Sequence, residues 1–133
     1  MHGLIDWKKY SEWSDSNTLV WPIIENTDAV SNISQIVSAG VDGIVLGPFD
    51  LSMSMGLGGD MDGPDVRKAL EHVMKVALER GVNVVAVLFE AEPERILASA
   101  QHWLGLGCRI ITALSDRAVL ANAYKDVIHR LKE

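Results

Sequence analysis

The sequence predicts an α/β protein built on a parallel sheet, in which a strand followed by a helix recurs four times. Three observations predict it. Four short apolar runs, residues 18–24 (TLVWPII), 41–46 (VDGIVL), 82–88 (VNVVAVL) and 108–113 (CRIITA), are each followed by a segment with room for a helix. The last three runs are nearly continuous in Val, Ile, Leu and Ala, the pattern of parallel strands covered on both faces. In the phrases Ala39-Gly40-Val41, Arg80-Gly81-Val82 and Leu106-Gly107-Cys108, a Gly ends a helical pattern and the chain turns straight into a strand.

The helices are read from spacing and caps. Residues 27–38 place Ala29, Val30, Ile33, Ile36 and Val37 on one helical stripe. Residues 64–80 form the strongest pattern: Pro64 suits a first turn, Val66, Ala69, Leu70, Val73, Val76, Ala77 and Leu78 make the apolar face, and Gly81 ends it. Residues 92–104 have Pro93 in their first turn and Gly105 after them, and residues 116–132 close the chain with Ser115 or Asp116 as cap. Residues 1–17 hold Trp7, Tyr10 and Trp13 among polar residues and read as a short helix leading into the first strand. A start on a connection raises the expectation of a preceding segment.

Strand, helix, parallel strand is the right-handed crossover unit. Two architectures fit four such units: an open four-stranded sheet, or half of a (β/α)8 barrel. A complete barrel needs about 250 residues, and this chain has 133, read as a single domain. Periodicity does not choose between the two.

Composition narrows the partners. With 48% hydrophobic residues and a mean hydropathy of +0.14, the chain has a globular composition. A formal net charge of −6 and scattered Lys and Arg argue against nucleic acid, because phosphate binding wants a basic face. A small anionic substrate stays open, since a bound cation reverses the local sign. Cys108, the single cysteine, makes no internal disulfide and reads as a small buried hydrophobe. No run approaches the ~18–20 apolar residues of a membrane span, and the N-terminus has no signal-peptide core, so a cytoplasmic protein is expected.

In parallel α/β folds, chemistry sits at the C-terminal ends of the strands. Those ends are Ile24-Glu25-Asn26, Gly47 to Ser52, Phe89-Glu90-Ala91-Glu92 and Leu114-Ser115-Asp116. Glu25 and Asp50 end consecutive strands, and strands ~5 Å apart let two carboxylates converge. Two carboxylates with waters make a hard-oxygen site for Mg²⁺ or Mn²⁺. The plainer account of Glu25 and Asp50 is helix capping. Glu90, Glu92 and Asp116 are read as residues that complement the dipole of the next helix. In Gly47-Pro48-Phe49-Asp50, Gly lets a ligand approach the backbone and Pro stiffens the turn. The N–H groups of Phe49 and Asp50 would then face an anion such as a carboxylate; the plainer account is an ordinary tight turn.

Nothing else rises to a site. His72, His102 and His129 fall on helices and His2 on the leader. Ser52, Ser54 and Ser115 have no His at a recognisable spacing. Gly56-Leu57-Gly58-Gly59 lacks the Lys-Ser/Thr of a phosphate loop. Met53 and Met55 suit a pocket wall, but core packing is the commoner role of such a pair.

The phrase Val41-Asp42-Gly43-Ile44-Val45-Leu46-Gly47-Pro48-Phe49-Asp50-Leu51-Ser52 resembles the DG, three apolar, GPxDLS signature of the HpcH/HpaI aldolase/citrate lyase family. Met55 to Gly59 with Pro64-Asp65-Val66 resembles that family's LG…HPEV loop, and Pro22-Ile23-Ile24-Glu25 its metal-ligand strand. The resemblance runs from about Thr18 to the end, and more weakly across residues 3–17. It implies the C-terminal half of a (β/α)8 barrel and a metal-dependent aldolase acting on a 2-oxo acid through a pyruvate enolate. It assigns Glu25 and Asp50 to a divalent cation (Mg²⁺, Mn²⁺ or Co²⁺), and Gly47, Pro48, Phe49 and Asp50 to the substrate carboxylate, with Ser52 capping a short helix after them.

Three departures accompany it. The family's base, a His, and its charge-stabilising Arg come from the N-terminal half, so no catalytic residue carries over to this chain. The Gln that some members place two residues before the metal Glu is Ile23, and the His of the HPEV phrase is Gly63. A half barrel exposes two sheet edges, which implies pairing with a second copy or with a complementing N-terminal half. Two rivals remain: a catalytically incomplete paralogue that binds metal and 2-oxo acids or serves as a scaffold, and a phosphorylation-switched receiver domain. The receiver fold wants an acidic pair after its first strand and a late Lys, and neither is here.

Overall fold

Every strand is followed by a helix, in the order the sequence predicts. The computed structural model describes residues 6–90, 92–113 and 115–132. Helix α1 spans Trp7–Asn17, strand β1 Ile23–Ile24, helices α2 and α3 Thr27–Ser31 and Ile33–Ser38, β2 Gly43–Leu46, α4 Pro48–Ser54, α5 Pro64–Glu79, β3 Asn83–Leu88, α6 Pro93–Gly105, β4 Ile110–Ala113 and α7 Asp116–Arg130. The strands are all parallel and lie in the order β1-β2-β3-β4.

That order separates the two architectures. A doubly wound sheet reverses its strand order at a switch point and carries helices on both faces. Here the strands add in one direction, and helices α2 to α6 pack on one face. Ile24, Ile44, Leu46, Val84 and Ala86 share one buried core with Ile33, Val37, Leu70, Val73 and Met74 of the helices. Successive residues of a strand point to opposite faces, so Ile23, Val45, Val85, Val87, Ile110 and Thr112 look the other way. Of these, Ile23 is 52% exposed and Ile110 38%. Val85 is buried there, between Val45 and Ile110 in the register. A singly wound sheet with one largely bare face is what the wall of a barrel looks like when half of it is present.

Burial on both faces therefore holds for β2 and β3 only in part, and fails for β4. That strand lies at the edge, and three of its four residues are exposed. The first run pairs over only Ile23 and Ile24 rather than the whole of 18–24. Pro22 has no N–H to give a ladder, and Val20 instead donates its N–H to the Asp42 carboxylate at 2.7 Å. The helix expected over 27–38 is split at Asn32, whose Nδ2 donates to the Asp28 carbonyl at 2.9 Å. Such a side chain competes with the helical ladder.

The Gly-led turns are as expected: Gly40, Gly81 and Gly107 adopt φ of 89°, 72° and 106°, which only Gly takes freely. Cys108 is fully buried, its Sγ 3.2 Å from the Val84 carbonyl. Helix α1 carries Trp7, Tyr10 and Trp13, all exposed; Tyr10 meets Trp7 edge-on at a ring-centroid distance of 6.0 Å and lies tilted against Trp13 at 6.1 Å. Among the described residues, no helix is long and apolar enough to cross a membrane.

Candidate metal centre

The exits of β1 and β2 meet. Ile24 pairs with Leu46, so the next residues, Glu25 and Gly47, stand side by side. A Cβ added at Gly47 would fall 2.6 Å from Glu25 Cβ and 3.0 Å from Ile23 Cγ2. Real carbons do not approach that closely, so the chains come together here because residue 47 has no side chain. The same contacts put Glu25 on the bare face of the sheet with Ile23. Glu25 is half-buried. Asp50 is exposed and lies in the first turn of α4, which starts immediately after Gly47.

Capping does not account for either carboxylate. The residue that caps α2 is Asn26, whose Oδ1 accepts from Ala29 N at 2.8 Å. Helix α4 is capped by Gly47 and has no side-chain cap bond. Among the described residues, neither the Glu25 nor the Asp50 carboxylate has a hydrogen bond or ion pair. Both carboxylates are therefore available to a ligand.

Ser52 corrects an expectation. It does not cap a following helix but sits inside α4, fully buried, its Oγ donating to the Phe49 carbonyl at 2.6 Å. Pro48 starts the helix one turn earlier than expected, because its fixed φ suits a first helical position. The first α4 bond is from Leu51 N to the Gly47 carbonyl at 3.1 Å, so the N–H groups of Phe49 and Asp50 precede the helical ladder. Phe49 is 47% exposed, and its ring lies against Gly59.

The donor set fits a hard divalent cation. Among the described residues, no three His, Cys, Asp or Glu gather into a closed metal cage. Two carboxylates with open positions for water and substrate oxygens are what an accessible Mg²⁺ or Mn²⁺ site offers.

The acids at the other strand ends are placed differently. Glu90 accepts a hydrogen bond from Ser99 Oγ. Glu92 precedes α6 without a side-chain cap bond, and Asp116 accepts from Arg117 N at 2.7 Å. Ala91 and Leu114 of those exits lie outside the described residues, as does His2. The other three histidines sit on α5, α6 and α7. His102 packs edge-on against Trp103, its Nε2 3.1 Å from Glu71 Oε1; the ring N–H is not aligned for a hydrogen bond, so the contact is a charge pair only when the ring is protonated. Met53 is exposed and Met55 packs on the core.

One feature escaped the sequence altogether. A cavity of about 300 Å³ opens at the end of β3 beside α6, with Arg67, Glu90, Arg95 and Trp103 in its wall. Arg95 pairs there with Asp62 at 3.0 Å. Its walls come from elements far apart in the chain, which no local pattern announces, and neither Glu25 nor Asp50 lines it.

Residues 8–115 match the sequence profile of HpcH/HpaI aldolase/citrate lyase. The chain belongs to that family. It is 31% identical over 118 residues to a 5-keto-4-deoxy-D-glucarate aldolase of Shigella dysenteriae, covering 87% of this chain and 46% of that protein. A crystal structure of an HpcH/HpaI aldolase/citrate lyase family protein from Burkholderia cenocepacia superposes with a TM-score of 0.79 at 26% identity, over 96% of this chain and 48% of that one. An HpcH/HpaI aldolase from Desulfitobacterium hafniense gives 0.77 at 23% identity, over 97% and 48%. The HpcH/HpaI chain thus spans about half the length of the relatives it matches. Its four-stranded wall is half of a barrel of that family, and the receiver-domain reading falls away.

Proposed function

We propose that this chain is the metal-binding half of a class II aldolase that makes or breaks a carbon–carbon bond of a 2-oxo acid. The observation that carries the reading is the pair Glu25 and Asp50: two carboxylates at adjacent strand exits that the fold leaves without a partner. A Mg²⁺, Mn²⁺ or Co²⁺ ion held by Glu25 and Asp50 would supply Lewis acidity toward a 2-oxo acid.

The chain's own residues do the rest of the holding. Glu25 and Asp50 bind the cation. Gly47 and Pro48 shape the turn so that the N–H groups of Phe49 and Asp50 receive the substrate carboxylate. Ile23 gives the bare face an apolar wall. The small partners are a 2-oxo acid and an aldehyde, in a cytoplasmic setting.

No His among the described residues stands at a strand exit, so the general base of this reading is supplied by a complementing half. The free edges of β1 and β4 and the bare face are where a complementing half barrel, or a second copy of this chain, completes the wall. By itself the chain then binds metal and 2-oxo acid without turnover, which is also what a paralogue kept for binding would do.

The test is pyruvate release from a 4-hydroxy-2-oxo acid. The chain alone should give none. Co-expressed with a family N-terminal half that carries the His and Arg, it should give turnover that a chelator abolishes and Mg²⁺ or Mn²⁺ restores. Turnover that survives chelation, or survives Glu25→Gln in the paired protein, would contradict the reading.

A further inference from the structure

We propose that Gly47 and Ser54 are positioning residues that set the separation of the Glu25 and Asp50 carboxylates. The inference rests on the metal-site reading and says how that site is held.

Strand β1 pairs over only two residues, so its ladder is a weak guide for Glu25 and the residues after it. Two contacts do the guiding, the last bond of that ladder and one beyond it. At the near end, Gly47 N donates to the Ile24 carbonyl at 3.0 Å, and the absent side chain of Gly47 admits Glu25 Cβ. At the far end, Ser54 Oγ accepts from Thr27 N at 3.1 Å. Thr27 opens α2, and its N–H is one of the first-turn donors that no intrahelical carbonyl can serve. Asn26 spends its own side chain on Ala29, which leaves Thr27 to Ser54.

Both contacts come from one rigid body. Gly47 caps α4, Ser54 ends it, and Asp50 lies between them. That helix is anchored in the interior by Pro48, Leu51 and Ser52, all buried. The segment Glu25-Asn26-Thr27 is therefore fastened at each end to the element that carries the other carboxylate. Moving either fastening moves Glu25 relative to Asp50.

Gly47 has φ −109° and ψ 76°, outside the left-handed region, so an alanine there is not strained by its own backbone. The added Cβ would instead meet Glu25 Cβ, an atom bonded directly to the backbone, with no side-chain rotation to relieve it. The consequence falls on the exit of β1. At Ser54 the effect is chemical: Ala removes the acceptor and Thr keeps it.

The experiment is Mn²⁺ titration calorimetry on the wild-type chain, Ser54→Ala, Ser54→Thr and Gly47→Ala, with thermal unfolding recorded for each. Ser54→Ala should weaken Mn²⁺ by about tenfold and Gly47→Ala by about a hundredfold, the range for removing groups that orient a metal ligand. Ser54→Thr should bind like wild type. If Gly47→Ala fails to fold, the two Ser54 variants decide the matter alone. Variants that bind Mn²⁺ as the wild type does, whatever their unfolding temperature, would overturn the positioning role and leave the metal site standing. Failure of Ser54→Thr to restore affinity would overturn it too. A wild type that does not bind Mn²⁺ would bring down the metal reading and this inference together.

Discussion

The two faces of the sheet differ as sharply as the inside and outside of a folded domain, although they are made of alternate residues of the same strands. On the helix-covered face, Ile24 and Ile44 are wholly buried and Leu46 is 1% exposed. On the bare face, the neighbouring Ile23 is 52% exposed and Ile110 38%. Folding is accomplished on the first face, by packing of α3 and α5 against the strands. The second carries Glu25, which has no hydrogen-bond or charge partner among the described residues. A chain that builds its core on one side of a sheet leaves the other for a ligand and for the rest of a barrel.

Substitutions can break that comparison, and the largest effect belongs to the covered face. Ile44→Ala should cost about 2–5 kcal/mol, the range for a fully buried aliphatic truncation. Ile23→Ala, one face away, should cost about 1 kcal/mol or less in the chain alone. Urea unfolding of the two variants measures both. A cost at Ile23 near that at Ile44 would mean that the bare face is covered in solution, by a second copy or by another half barrel. Dilution would then lower the stability only if the cover is a separate chain.

A smaller effect sharpens the same point at the site's border. Asn26→Ala removes the α2 cap, whose Oδ1 accepts from Ala29 N, and should cost about 1 kcal/mol in the same unfolding experiment. Glu25→Gln, the adjacent residue, should leave the unfolding midpoint nearly where it was, because the fold makes no use of that carboxylate. A loss at Glu25 equal to that at Asn26 would restore capping as its role.

Much of this was legible in the sequence, and the reasons differ by element. Helix α5 is found within one residue of its expected end because Pro64, a full apolar face and Gly81 all agree. The turns at Gly40, Gly81 and Gly107 were legible because Gly serves there as the residue that accepts positive φ. The choice between open sheet and half barrel was not legible from periodicity, since it depends on strand order, a long-range property; only the family resemblance pointed to it. Strand β1 was overdrawn because TLVWPII reads as one apolar run, while Pro22 and the Val20–Asp42 bond take most of it out of the ladder. Ser52 was misplaced by one helical turn because the short α4 begins at Pro48 inside the turn that carries the motif. Glu25 and Asp50 were legible as strand-end acids, but a partnerless carboxylate and a capping one look alike in sequence. The tie between Thr27 and Ser54 joins residues far apart in the chain and left no local signal.

The central claim is that Glu25 and Asp50 hold a divalent cation that in turn holds a 2-oxo acid. Calorimetric titration of Mn²⁺, then pyruvate, into the wild-type chain, Glu25→Gln and Asp50→Asn tests it most directly. The wild type should bind Mn²⁺, and pyruvate only once Mn²⁺ is present, and either variant should lose both with the fold intact. Pyruvate binding without metal, or Mn²⁺ binding undiminished in both variants, would contradict it.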